Sequence, residues 1–212
     1  MSQHDFKAMR AAMVSNQLRT NSVSDPRVSG AMDKVPREDY VPVERAALAY
    51  VDVAIPLGNG RALNPPMATA RLLTEARLRP VDRVLLIGSA TGYAAALLAG
   101  LVAEVVALDE VSMGIGPSLA PNVSVVVGPM TKGWQAGAPY DVIIIDGAVS
   151  NLGADIPAQL VDGGRLLTGL VERGVTRLAR GVRAGDACGV VPFADVETVI
   201  LPGFDAPAGF TF

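Results

Sequence analysis

The sequence predicts a doubly wound α/β fold on a mostly parallel seven-stranded sheet, with an antiparallel C-terminal strand and an N-terminal helical extension. Three observations predict it. From residue 81 onward, short apolar runs at 83–87, 104–109, 122–128, 140–146 and 164–168 alternate with longer connections, the rhythm of buried parallel strands. The stretch Val84-Leu-Leu-Ile-Gly-Ser-Ala-Thr-Gly-Tyr-Ala-Ala-Ala96 reads as a buried strand turning through two glycines into a helix. Residues 175–183 and 187–193, joined through Ala184-Gly-Asp186, read as a closing antiparallel pair, with a short strand expected around Val199.

The elements before the sheet follow in order. Phe6, Met9, Met13 and Leu18 recur at helical spacing over residues 5–20, and Asp25-Pro26 supplies a cap and first turn for a second helix ending near Asp33. The proline-punctuated Val35-Pro-Arg-Glu-Asp-Tyr-Val-Pro42 leads to a short helix through Ala49, and the glycine-rich Pro56-Leu-Gly-Asn-Gly60 follows. Pro65-Pro66 marks an extended segment before a helix from about Met67 to Leu78. This divides the chain into an N-terminal helical extension with its following loop over 1–80 and a sheet domain over 81–212, one compact unit with no internal repeat or low-complexity linker.

Composition narrows the function. At 212 residues, 50% of them hydrophobic, the chain can bury one good core. A net charge of −3 and a pI near 5.2 give no basic stripe, so nucleic acid and anionic membrane surfaces are not expected partners. No apolar run reaches the length of a bilayer span and no secretory signal is visible, so a soluble, cytoplasmic protein is expected. A single cysteine, Cys188, and a single histidine, His4, exclude an internal disulfide and argue against an ordinary zinc site or a histidine-dependent nucleophile; no metal is expected.

The chemistry concentrates at the glycine turn. Its glycines allow a ligand to approach the backbone, and Val105-Val-Ala-Leu-Asp-Glu110 ends the next strand in an acid, Asp109, placed to accept hydrogen bonds from a ribose. The dinucleotide fingerprint laid from Gly88 fails at Ala90 and Tyr93. The pattern fits better to the first motif of S-adenosylmethionine (SAM) methyltransferases, with Gly88 and Gly92 at its first and third glycines, Ala90 at the middle one and Leu86 at the acid. A tight strand-to-helix turn with no ligand is the plain alternative.

Residues outside the turn carry a family resemblance. Met13-Val-Ser-Asn-Gln-Leu18, Asp25-Pro-Arg-Val28, Ala31-Met32, Val35-Pro-Arg-Glu-Asp-Tyr-Val-Pro42, Ala49-Tyr-Val-Asp52 and Ile55-Pro-Leu-Gly58 occur in one order, and the chain resembles the protein-L-isoaspartate O-methyltransferases from about Met9 to Phe193. Ala138-Pro-Tyr-Asp-Val-Ile-Ile-Ile145 and Gln159-Leu-Val-Asp-Gly-Gly-Arg-Leu166 resemble two further strands of that family. The resemblance implies a Rossmann-like sheet, SAM as methyl donor and the free α-carboxylate of an isoaspartyl residue in a damaged peptide or protein as acceptor. It implies that Gly88, Ser89, Ala90, Thr91, Gly92, Asp109 and Gly128 hold the cofactor, and that Asn64 and Asp146 stand on the acceptor side.

Four departures cluster on the chemistry. Asn64 replaces the acceptor-side serine of the family's T-I-S-x-P loop. Gly128-Pro129-Met130 replaces a G-D-G segment whose acid helps hold the adenine. The stretch from Asp109 to Asn122, with Gly114, Gly116 and Pro117, is short for a crossover helix, so an irregular loop is expected. Asp146 stands where the family usually carries threonine. It can orient an amine or hydroxyl acceptor, repels a carboxylate unless protonated or paired, and is in the plain alternative a strand-end cap.

Other readings remain beside the isoaspartyl methyltransferase: a fold-retaining module that has lost SAM binding and serves as a scaffold, or a methyltransferase with another acceptor. A vacant cleft between Asp109 and the Gly88 turn favours the enzyme; Leu86, Met130 or Trp134 filling that volume favours the scaffold. Trp134 is expected over the shortened loop. Arg37, Glu38 and Asp39 read as a charged lip of the acceptor cleft or as a solvated turn. Phe204, Phe210 and Phe212 read as a tail anchor or a partner surface.

Overall fold

The computed structural model describes residues 5–111 and 116–205. Helix α1 (Phe6–Ala12) is capped by Asp5, whose carboxylate accepts from Ala8 N at 3.0 Å, and continues through a π-helical stretch, Met13–Leu18. Helix α2 (Pro26–Lys34) has Asp25 at its cap and a proline in its first turn, as the sequence predicts. After two short 3₁₀ segments comes a hairpin that was not foreseen, β1 (Ile55–Gly58) with β2 (Arg61–Leu63); its alternation of buried and less buried residues is too brief to stand out among the glycines. Helix α3 (Pro66–Glu75) follows the two prolines.

The sheet contains β3 (Arg83–Ile87), β4 (Glu104–Asp109), β5 (Val123–Val127), β6 (Tyr140–Val149), β7 (Leu160–Glu172), β8 (Val175–Ala184) and β9 (Ala187–Ala194). Their order is β5-β4-β3-β6-β7-β8-β9; pairs up to β7 are parallel, and β7-β8 and β8-β9 are antiparallel. From β3 the chain runs outward to β4 and β5 and then returns to β6 on β3's other side. The crevice between the carboxyl ends of β3 and β6 is therefore the topological switch point of the sheet.

Period-two alternation sends the strand residues to two apolar layers. Val84, Leu86, Val105, Ala107, Val142 and Ile144 pack with the N-terminal helices, α3 and α4 (Tyr93–Ala99). Leu85, Ile87, Val106, Leu108, Ile143 and Ile145 pack with Met130, Ile156, Leu201 and Phe204, so this second face is covered by short turns and the C-terminal segment. The first layer joins residues from both halves of the sequence, Met13 and Leu72 with Leu86 and Ile144.

Between β4 and β5 the described residues, 110–111 and 116–122, form neither helix nor strand, as the short spacing predicts. His4, Gly114, Phe210 and Phe212 lie outside the described residues. The strand expected near Val199 is a single parallel bridge, Ala148 with Ile200. It ends there because Pro202-Gly203 makes a turn, with Gly203 at φ +84°. Phe204 is 3% exposed and anchors this strap. Among the described residues no helix is long and apolar enough to cross a membrane.

Candidate active site

Strand register brings the candidate residues together. Ile87 of β3 pairs with Leu108 of β4 on one side and with Ile145 of β6 on the other. The next positions, Gly88, Asp109 and Asp146, therefore stand level on three adjacent strands, just past the end of β3, at the end of β4 and three residues before the end of β6. The turn has the conformation that the two glycines anticipated: Gly88 and Gly92 have φ of +80° and +91°, which side chains resist. Ala90, between them, also lies in the left-handed region at φ +48°. Ser89 and Thr91 are buried, and Thr91 Oγ1 has no hydrogen-bond partner among the described residues.

Asp109 is 3% exposed and gathers donors. Ala90 N donates to Oδ2 and Glu110 N to Oδ1, both at 2.8 Å. The Arg61 guanidinium grips both oxygens, Nη1 on Oδ1 and Nη2 on Oδ2 at 2.9 Å. Arg61, itself 6% exposed, is a residue that sequence reasoning missed. Its signal was an arginine in the inward phase of a short alternating strand, and its partner lies 48 residues away. Gly128 N donates to the Asp109 carbonyl at 3.0 Å. The Trp134 ring lies against Gly128, where an added Cβ would meet it at 3.3 Å, and packs on the second apolar layer.

Asn64, expected on the acceptor side, joins three segments of the chain. Its Nδ2 donates to Asp146 Oδ1 at 2.8 Å, and its Oδ1 accepts from Val199 N of the strap at 2.8 Å. Its backbone carbonyl accepts from Arg37 Nη2. Arg37 is thus neither lip nor solvated turn: it is fully buried, with its guanidinium 4.7 Å from the Tyr93 ring centroid. Burial lowers the Arg37 pKa and pushes the Tyr93 phenol up to about 12. Burial also raises the Asp146 carboxyl above the usual carboxylate range, against the hydrogen bond from Asn64 and the charges of Arg37 and Arg61.

The cleft beside Gly88 is occupied, but not by the residues anticipated. Leu86 belongs to the helix-side layer; Met130 is fully buried on the other face, its sulfur 4.0 Å from Arg61 Nη1. Leu201 of the strap comes closest to the turn, and a Cβ on Gly88 would lie 2.9 Å from its Cδ1. A cavity of about 480 Å³, lined in part by Ser89, Ala90, Thr91, Gly92 and Asp109, opens beside this arrangement, a volume in the range of small-molecule sites. The donor set, a glycine turn beside a strand-end carboxylate, fits the nucleoside part of SAM.

The family model described as protein-L-isoaspartate(D-aspartate) O-methyltransferase matches residues 8–200. The chain is 35% identical over 212 aligned residues to protein-L-isoaspartate O-methyltransferase 1 of Rhodopseudomonas palustris, covering 93% of this chain and 84% of that one. It is 36% identical to the protein-L-isoaspartate O-methyltransferase of Roseiflexus castenholzii, with 94% of each covered. Among solved structures, a protein-L-isoaspartate O-methyltransferase superposes with TM-score 0.75 at 20% identity, over 92% of this chain and 66% of that chain. One from Plasmodium falciparum, in complex with S-adenosyl-L-homocysteine, superposes with TM-score 0.74 at 17% identity, over 94% of this chain and 99% of that one. By sequence over most of its length, and by a fold that matches, the chain belongs to the protein-L-isoaspartate O-methyltransferase family.

Proposed function

We propose that the chain is a SAM-dependent O-methyltransferase that methylates the α-carboxylate of isoaspartyl residues in damaged peptides and proteins. The observation that carries this reading is the match of the family over residues 8–200, together with the level placement of Gly88, Asp109 and Asp146 at the switch point. The same match favours an enzyme over a bare scaffold, because it runs through the site as well as the core.

SAM supplies a methyl group already activated on a sulfonium. A carboxylate acceptor is already a nucleophile, so the protein's work is to bind, align and exclude water, and no general base is needed. We assign Gly88, Ser89, Ala90, Thr91, Gly92 and Gly128 to close backbone approach of the nucleoside and Asp109 to its ribose hydroxyls. Asn64 and Asp146 form the acceptor wall. A charged Asp146 would repel an acceptor carboxylate; burial disfavours that charge, while the hydrogen bond from Asn64 and the charges of Arg37 and Arg61 favour it.

The test is methyl transfer from labelled SAM to an isoaspartyl peptide and to its normal aspartyl counterpart. Transfer to the first alone supports the reading. Robust SAM binding with transfer to neither would shift it toward another acceptor.

A further inference from the structure

Two side chains from outside the glycine turn close on Asp109 and Gly88, two of the groups assigned above to the nucleoside. Arg61, from the β1-β2 hairpin, holds both oxygens of Asp109, the carboxylate assigned to the ribose. Leu201, from the strap, sits on Gly88 and also on Gly147, where an added Cβ would be 2.5 Å from its Cγ. The strap is itself fastened: Ala148 N donates to Val199 O at 2.7 Å, Leu201 N to Ala148 O at 2.9 Å and Ser150 N to Phe204 O at 3.2 Å. The adjoining cavity reaches Asp109 and residues 89–92, but Gly88, Asn64 and Asp146 are not in its lining. The nucleoside end therefore has an approach, and that cavity does not continue to Asn64 or Asp146.

We propose that Arg61 and Leu201 form an internal latch that competes with the adenosyl ligand for Asp109 and Gly88, so that cofactor affinity is set by how often the latch opens. The proposal rests on the SAM reading of this site. A bidentate arginine on a buried carboxylate is a directional pair, and a ribose hydroxyl can reach those oxygens only after the guanidinium leaves. Ligand binding is then taxed by the fraction of molecules in the open arrangement, and weakening the latch removes the tax. Leu201 acts by volume and Arg61 by charge, so the two can be relaxed independently.

The experiment is titration of the full chain and of the Arg61→Gln and Leu201→Ala variants with S-adenosylhomocysteine, by calorimetry and by stopped-flow fluorescence of the single tryptophan, Trp134, which lies against Gly128. Circular dichroism and thermal melts establish that each variant is folded, and Leu201→Ala keeps the test alive if removing the Arg61 charge unfolds the chain. The expected result is tighter binding, by about tenfold where the open form is populated at about one part in ten in the native chain. The native association rate should level off at high ligand concentration, at a ceiling that rises in the variants. Equal affinity in all three proteins, or weaker binding in Arg61→Gln with no gain in Leu201→Ala, overturns the latch and leaves the SAM reading standing. No binding by any of the three overturns the SAM reading and the latch with it.

Discussion

Asn64 Nδ2 and Asp146 Oδ1 lie 2.8 Å apart, across 82 residues of sequence, and Asn64 simultaneously accepts from Val199 N. Asn64→Ala leaves a buried carboxyl and a partly buried backbone donor without these partners. The expected cost is about 2–4 kcal/mol of unfolding free energy, measured by denaturant titration. Asn64→Ser, which restores the family's residue type, is expected to cost less. A loss below about 0.5 kcal/mol for the alanine variant would mean that water takes over both contacts.

Asp146 makes stability depend on pH. Its folded carboxyl is raised by burial, so the folded chain holds that proton to higher pH than the unfolded chain does. The contribution is fullest below the unfolded carboxyl's titration near pH ~3.9 and declines as pH rises through the raised folded value. Asp146→Asn removes that decline. The stability of the variant relative to the native chain should increase as pH rises above the unfolded carboxyl's titration, and a pH-independent difference would show that burial does not shift the Asp146 carboxyl.

Ala90→Gly should stabilise the fold. Ala90 is held at φ +48°, where a Cβ is strained and glycine is not, and its amide still reaches Asp109 Oδ2 at 2.8 Å. Relief of about 1 kcal/mol is expected, seen as a higher melting temperature. An unchanged or lower melting temperature would place the strain elsewhere.

Gly147→Ala attacks the strap from beneath. The added Cβ would meet Leu201 Cγ at 2.5 Å and the Val199 carbonyl at 2.9 Å, and the second neighbour is backbone. Faster proteolysis within 196–205 and a loss of about 1–3 kcal/mol are expected. Native-like resistance would show that the sheet, rather than the strap, yields.

Asp109→Ala strands the buried Arg61 guanidinium. A cost of about 3–5 kcal/mol is expected, and the double variant Asp109→Ala with Arg61→Met should recover part of it in a double-mutant cycle. Additive losses would show that the two residues are not coupled.

The sheet was legible because each strand carries its own apolar run: 83–87, 104–109 and the closing antiparallel pair follow the sequence rhythm closely. Gly88, Gly92 and Asp109 were legible because backbone conformation and strand ends are local properties. Arg61 and Arg37 were not. Whether an arginine is solvated or buried depends on what folds over it, here a carboxylate 48 residues away and an aromatic ring on α4. Leu201 was hidden for the same reason: the run Val199-Ile200-Leu201, stopped by Pro202, is too short for its periodicity to declare which surface each residue covers.

The bond from Val199 to Asn64 spans 135 residues and makes the setting of Asn64 depend on the C-terminal segment. Closing so long a loop is entropically slow, and the contact offers little until the sheet beneath it exists. A chain cut at residue 195 would retain every strand of the sheet while leaving Asn64 without its strap partner and Gly88 uncovered. Such a polypeptide would keep the sheet while Asn64 lost one of its hydrogen-bond partners, so the sheet and the Asn64 contact can be separated by truncation.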